Sequence, residues 1–146
     1  MLEQDITQKR KERHHITQED FTPIEIVKQL CDNLPNDLYT DFSKTFCDPC
    51  MGTGNIILYV LEKRLMICKS SNDVINALST LYGVELMQDN VDECKERVLD
   101  LLDKMNIDYD KSQAIKIMDK NLICSDFFEW DFENWRSKKI ISNPLF

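Results

Sequence analysis

Apolar positions along the chain alternate between two rhythms. In FTPIEIVKQLCDNLP, residues 21–35, Ile26, Val27, Leu30, Cys31 and Leu34 recur at steps of three and four, which places them on one face of a helix. Thr22 is positioned as an N-cap, Pro23 at the first helical position and Glu25 as the closing member of a capping box, and Pro35 stops the helix. After it a unit recurs: a short β-prone run, a turn, then a helical period. KTFCDP leads into an apolar segment over residues 56–65. LYGVEL leads into a helix over residues 89–105 that carries Val91, Cys94, Val98, Leu101 and Met105 on one face. NDVINALSTL predicts an additional helix before the second strand, while NLICSDFF and KKIISNPLF predict a third and a fourth strand. Strands alternating with helices predict an α/β fold with a doubly wound, mostly parallel sheet.

Composition narrows the possibilities. A chain of 146 residues is about one domain, with 42% apolar residues and a net charge of −8. That acidity argues against a chain that grips a nucleic acid backbone by itself, since such binding draws on Lys and Arg contacts to phosphates. The basic cluster Lys9, Arg10, Lys11 and Arg13 lies in a polar segment, residues 1–18, which reads as a solvated terminus or a DNA-facing arm. Six cysteines are scattered among apolar runs with no secretory signal before them, which predicts a reducing, cytoplasmic setting. Cys47 and Cys50 form a single CxxC pair with no second pair or nearby histidine, so no metal is expected. No apolar run reaches the ~18 residues of a membrane span.

Candidate chemistry centres on CDPCMGTGN, residues 47–55, which holds two of only three glycines, Gly52 and Gly54. A strand, a glycine turn and a helix open a nucleotide-type binding unit, whose ligand sits at the carboxyl ends of the strands. A phosphate loop would need a Lys followed by Ser or Thr after the last glycine, where Asn55 and Ile56 stand. A dinucleotide loop would need a small residue at Ile57. Asp48, pinned by Pro49 in front of the turn, would repel a pyrophosphate and suits an ammonium. Glu85 ends the second strand, where a carboxylate can accept ribose hydroxyls, and Asp126 ends the third, where it can accept an adenine amine. Taken singly, each acid reads equally as a strand-end residue capping the next helix. Taken together, the three describe a site for S-adenosylmethionine.

With these residues in view, the sequence resembles the S-adenosylmethionine-dependent adenine-N6 DNA methyltransferases. FTPIEIV resembles the N-terminal FTP motif of that family, DPCMGTG its DPxxGxG cofactor loop, YGVEL its ribose-binding strand, SDFF its adenine-binding turn and SNPLF its NPPF-type catalytic loop. These five motifs, in the family's order, cover residues 21–146. The resemblance implies the first four strands of a Rossmann-like class I methyltransferase sheet with an N-terminal helix, occupying residues 19–146. It implies that Phe21, Thr22 and Pro23 close over the methionine end of the cofactor and that Asp48, Pro49, Gly52 and Gly54 hold its amino acid portion. Glu85 would take the ribose, and Asp126 and Phe127 the adenine. Asn143, Pro144 and Phe146 would be catalytic: the Asn side-chain oxygen and the Pro carbonyl accept bonds from the amine of a flipped adenine, and the aromatic ring stacks on it. S-adenosylhomocysteine would be the product.

Leu145 stands where the family has a second proline, which implies a looser and slower site. Family members continue with three more strands and a target-recognition region. The chain is therefore expected to carry the cofactor-binding half and to act on DNA with a further region or a second chain, in the company of a restriction or specificity subunit, in a bacterial or phage-infected cell. Two other functions remain open at this point. One is a non-catalytic S-adenosylmethionine-binding or partner-docking module. The other is methyl transfer to a protein glutamine or an RNA base.

Overall fold

The computed structural model describes residues 22–141. Helix α1 (Ile24–Asp32) begins after Pro23, whose carbonyl accepts the Val27 amide at 3.0 Å. The expected capping box does not form: no side chain caps this end. Only Val27 and Cys31 of the predicted face are buried, while Ile26 and Leu30 are 44% and 54% exposed. The reason is geometric, since α1 packs chiefly on one neighbour, α3 (Asn55–Leu65), and a single helix contact covers a narrow stripe. The short α2 (Asp37–Thr40) follows, tied back by the Tyr39 hydroxyl donating to the Cys31 carbonyl at 2.7 Å.

Three parallel strands form the sheet in the order β1 (Phe46–Asp48), β2 (Leu81–Glu85), β3 (Leu122–Cys124). Pairing runs from Phe46 with Leu81 to Asp48 with Gly83, and from Gly83 with Leu122 to Glu85 with Cys124. Parallel neighbours need long crossovers. Here α3 and α4 (Ser71–Ser79) supply the first, and α5 (Gln88–Asp103) and α6 (Lys111–Asn121) the second. Helix α4 has the local signals that α1 lacks: the Ser70 hydroxyl accepts the Asp73 amide at 3.2 Å, and the Asp73 carboxylate accepts the Lys69 amide at 2.9 Å. On α5 the buried set is Val91, Cys94, Val98 and Leu102, so Leu102 takes the place expected for Leu101, which is half-buried together with Met105.

The two faces of the sheet differ. Leu81 belongs to the main core, with Ile57, Val60 and Leu61 of α3 and Cys94 and Val98 of α5. Tyr82 and Val84 have the opposite parity and point to the other face, where Trp135 meets Tyr82 edge-on at 4.8 Å. Trp135 belongs to an antiparallel hairpin of β4 (Trp130–Asp131) and β5 (Arg136–Ser137), preceded by a 3₁₀ turn (Phe127–Glu129). Over its described part, residues 138–141, the predicted fourth parallel strand is not formed; residues 142–146 lie outside the described residues. Arg136–Ser137 pairs antiparallel in the hairpin, and Lys138–Ile141 is a short helix, α7. Among the described residues, β1 pairs only with β2, so its other edge is an edge of the sheet.

Candidate functional site

The carboxyl ends of the three strands place three acids along one rim. Asp48 closes β1 and is 9% exposed; its Oδ1 accepts the Cys50 amide at 3.1 Å. Burial pushes its carboxyl above the ordinary value; the Cys50 amide opposes that shift, and the charge of Glu85 adds to it. Glu85 closes β2, and its Oε2 accepts the Met87 amide at 2.8 Å and the Asn90 Nδ2 at 3.0 Å. Asp126 lies two residues beyond β3, where its Oδ1 accepts the Phe128 amide at 2.8 Å. Each acid thus fixes the turn that follows it with one oxygen. No other donor among the described residues reaches the second oxygen of any of them. The capping reading and the ligand reading of these acids are both accommodated, one oxygen apiece.

Between Asp48 and α3 the chain turns through two left-handed residues, Gly52 at φ 57° and Gly54 at φ 93°. The close approach at Gly54 is internal. A Cβ there would overlap the Cys94 thiol of α5, so this glycine lets the loop lie against a neighbouring helix. Packing against Cys94 thus gives Gly54 a structural reason of its own, beside the one expected from the sequence. Pro49 is exposed beside Asp48, Phe127 is 44% exposed, and Phe127 lies 5.2 Å from the rings of both Phe128 and Phe132.

Two residues that the sequence reading did not single out tie this region together. Asn55 donates from Nδ2 to the Thr22 carbonyl at 2.8 Å, which draws the start of α1 onto the loop. Arg97 donates from Nη1 to the Thr53 carbonyl, the Thr53 hydroxyl and Asn55 Oδ1 at 2.9, 3.2 and 2.8 Å. A faint signal existed: Arg97 follows Cys94 by three residues, one helical turn along the face that meets the loop. Phe21, Asn143, Pro144, Leu145 and Phe146 lie outside the described residues, as does the polar segment 1–18.

A small cleft of about 20 Å³ sits at the loop, lined by Thr22, Asp48, Cys50, Gly52, Thr53 and Asn55 among others; among the described residues no Lys or Arg lines it directly, and Arg97 is bonded to Thr53 and Asn55 in its wall. Roomier clefts lie elsewhere: about 310 Å³ between α1, α3 and α5, about 490 Å³ beside α2, and about 320 Å³ between β1 and the hairpin. The cleft at the loop is far smaller than the roughly 300–1,000 Å³ of an enclosed small-molecule pocket, so a ligand across these strand ends would rest mostly on an open rim. Among the described residues no group of His, Cys, Asp or Glu is placed to hold a metal, all six cysteines are free, and no helix is long and apolar enough to cross a membrane. Burial raises the Cys47 thiol to about 11 and the Cys94 thiol to about 12, with the Asp48 charge contributing at both.

Comparison with known proteins gives no significant match to any family model, curated protein or solved structure.

Proposed function

We propose that the rim formed by β1, β2 and β3 binds S-adenosylmethionine, and that the chain serves DNA adenine-N6 methylation by carrying the cofactor site. One observation carries this reading: three carboxylates, each with one oxygen that no other donor among the described residues reaches, stand at the carboxyl ends of three adjacent parallel strands beside a left-handed glycine turn. A phosphate-bearing ligand is disfavoured by the same charges, whereas a ligand with an ammonium and a sulfonium is favoured.

On this reading the buried Asp48 faces the ammonium, and a charge with few alternative partners makes a strong one. Glu85 Oε1 accepts a ribose hydroxyl, with Oε2 held by Met87 and Asn90 so that the carboxylate is aimed before the ligand arrives. Asp126 Oδ2 accepts the adenine amine and Phe127 packs against the ring. The cofactor supplies an electrophilic methyl on sulfur. Asn143 and Pro144 would offer two acceptors to the target amine, directing its lone pair at that methyl with no prior proton removal. Thr22 is held against the loop by Asn55, and with Pro23 and Phe21 it would close over the methionine end.

The test is calorimetric titration of the wild type and Glu85→Ala with S-adenosylmethionine. The wild type is expected to bind and to gain thermal stability, and Glu85→Ala to bind about 10-fold or more weakly, the loss of roughly one charge-assisted hydrogen bond. Absence of both heat and thermal shift in the wild type would sink the reading.

A further inference from the structure

The acids say what the rim would bind, but they do not explain what keeps the glycine turn in a receptive shape. Two left-handed residues separated by one position form a turn with many alternatives in isolation. Backbone anchors hold its two ends: the Met51 amide donates to the Val84 carbonyl at 2.9 Å, and the Gly54 amide to the Met51 carbonyl at 2.9 Å. The middle, at Thr53, is held among the described side chains by Arg97, through both its carbonyl and its hydroxyl. Thr53 is 9% exposed and Arg97 is half-buried, so these bonds form with little competition from water.

We infer that Arg97 and Asn55 act as a positioning clasp that couples the start of α1 to the glycine turn, so that the ligand-receiving shape of the turn and the placement of Thr22 over it form as one unit. This inference rests on the cofactor reading for the identity of the ligand, and on the geometry alone for the clasp. The connectivity is continuous: Arg97 Nη1 holds Thr53 and Asn55 Oδ1, and the opposite end of the same Asn55 amide holds the Thr22 carbonyl. Loss of Arg97 therefore frees Asn55 to rotate and releases Thr22 as well. All three of these bonds leave a single nitrogen of Arg97, Nη1.

That convergence makes the proposal specific. Nη1 serves its three acceptors with two N–H donors and a lysine ammonium presents three on a single atom, so Arg97→Lys is expected to retain most of the clasp, whereas Arg97→Met, similar in length but with no donor, loses it. Amide hydrogen exchange without ligand is the first readout: Arg97→Met should speed exchange at residues 51–55 and at the start of α1 by about tenfold, the scale of roughly one charge-assisted bond, with Arg97→Lys close to wild type. Titration with S-adenosylmethionine is the second: binding should weaken about tenfold in Arg97→Met and in Asn55→Ala, and the double variant should lose less than the two losses combined, as coupled residues do. Exchange rates at the loop that match wild type in Arg97→Met, or losses that simply add, would overturn the clasp. A wild type that takes up no ligand would remove the cofactor reading, and the exchange comparison would still decide the clasp.

Discussion

Asp48 is kept ionisable in a place that does not favour ionisation. Its carboxyl is raised by burial, with the Glu85 charge adding and the Cys50 amide subtracting. A raised value in the folded state means that the native chain holds this proton more tightly than the unfolded one, so stability falls as pH rises through the window above the usual 3.8. At neutral pH the charged group costs stability unless a cation relieves it. Asp48→Asn should therefore melt at the same temperature as wild type or higher at pH 7, yet bind S-adenosylmethionine far more weakly. Wild-type affinity should fall on acidification through the same window, and the variant should show no such dependence. Thermal melts paired with titrations at several pH values check both signs. A variant that loses stability and keeps affinity would mark Asp48 as a structural residue only.

At the scale of elements, one buried side chain joins four of them. Arg64 of α3 is fully buried and has no carboxylate bonded to it. It donates to the carbonyls of Leu38, Ala77 and Lys44 at 3.0, 3.1 and 2.7 Å and to the Thr80 hydroxyl at 2.5 Å. Those acceptors sit on α2, at the end of α4, ahead of β1 and ahead of β2. Burial lowers its pKa, and the Asp41 charge partly restores it. Arg64→Ala would orphan three carbonyls and open a cavity, so a loss of roughly 3–5 kcal/mol is expected in urea denaturation. The spacing of apolar residues could not reveal this role, because a charged residue at the end of a helix reads as solvated. Other elements were legible for reasons that can be named. The helices α3, α4 and α5 each present apolar residues at steps of three and four, and α4 carries a Ser70 cap. Helix α6 escaped notice because only Ala114, Met118 and Asn121 are buried in an otherwise charged stretch. The hairpin escaped because its signal is aromatic, Trp130, Phe132 and Trp135, and because its turn uses Trp135 at φ 52°, where glycine or asparagine is usual. The acids of the site were readable since strand ends are predictable. The clasp was not, because Arg97 and Asn55 meet across 42 positions.

For the whole molecule the governing quantity is charge. With 26 acidic against 18 basic residues, and a rim that adds three carboxylates at one end of the sheet, the chain has little to offer a phosphate backbone. Radiolabelled methyl transfer to adenine-containing DNA is therefore expected to be weak or absent for this chain alone, and to rise when a basic partner chain supplies the contacts to DNA. Strong turnover by a verified monomer of 146 residues would show that the chain needs no such help.

The hairpin on the second face has an optical consequence. Both tryptophans of the chain, Trp130 and Trp135, lie in it, 5.3 Å apart and nearly perpendicular. Trp130 is 9% exposed with its indole nitrogen buried and unpartnered, while the Trp135 nitrogen donates to the Lys120 carbonyl at 2.8 Å. Intrinsic fluorescence excited at the indole band therefore reports on this one small region. A chain followed by emission and a chain followed by far-ultraviolet dichroism are being watched at different places, one at the hairpin and the other at the helices, and any gap between the two melting curves measures how firmly the hairpin is bound to the sheet it covers.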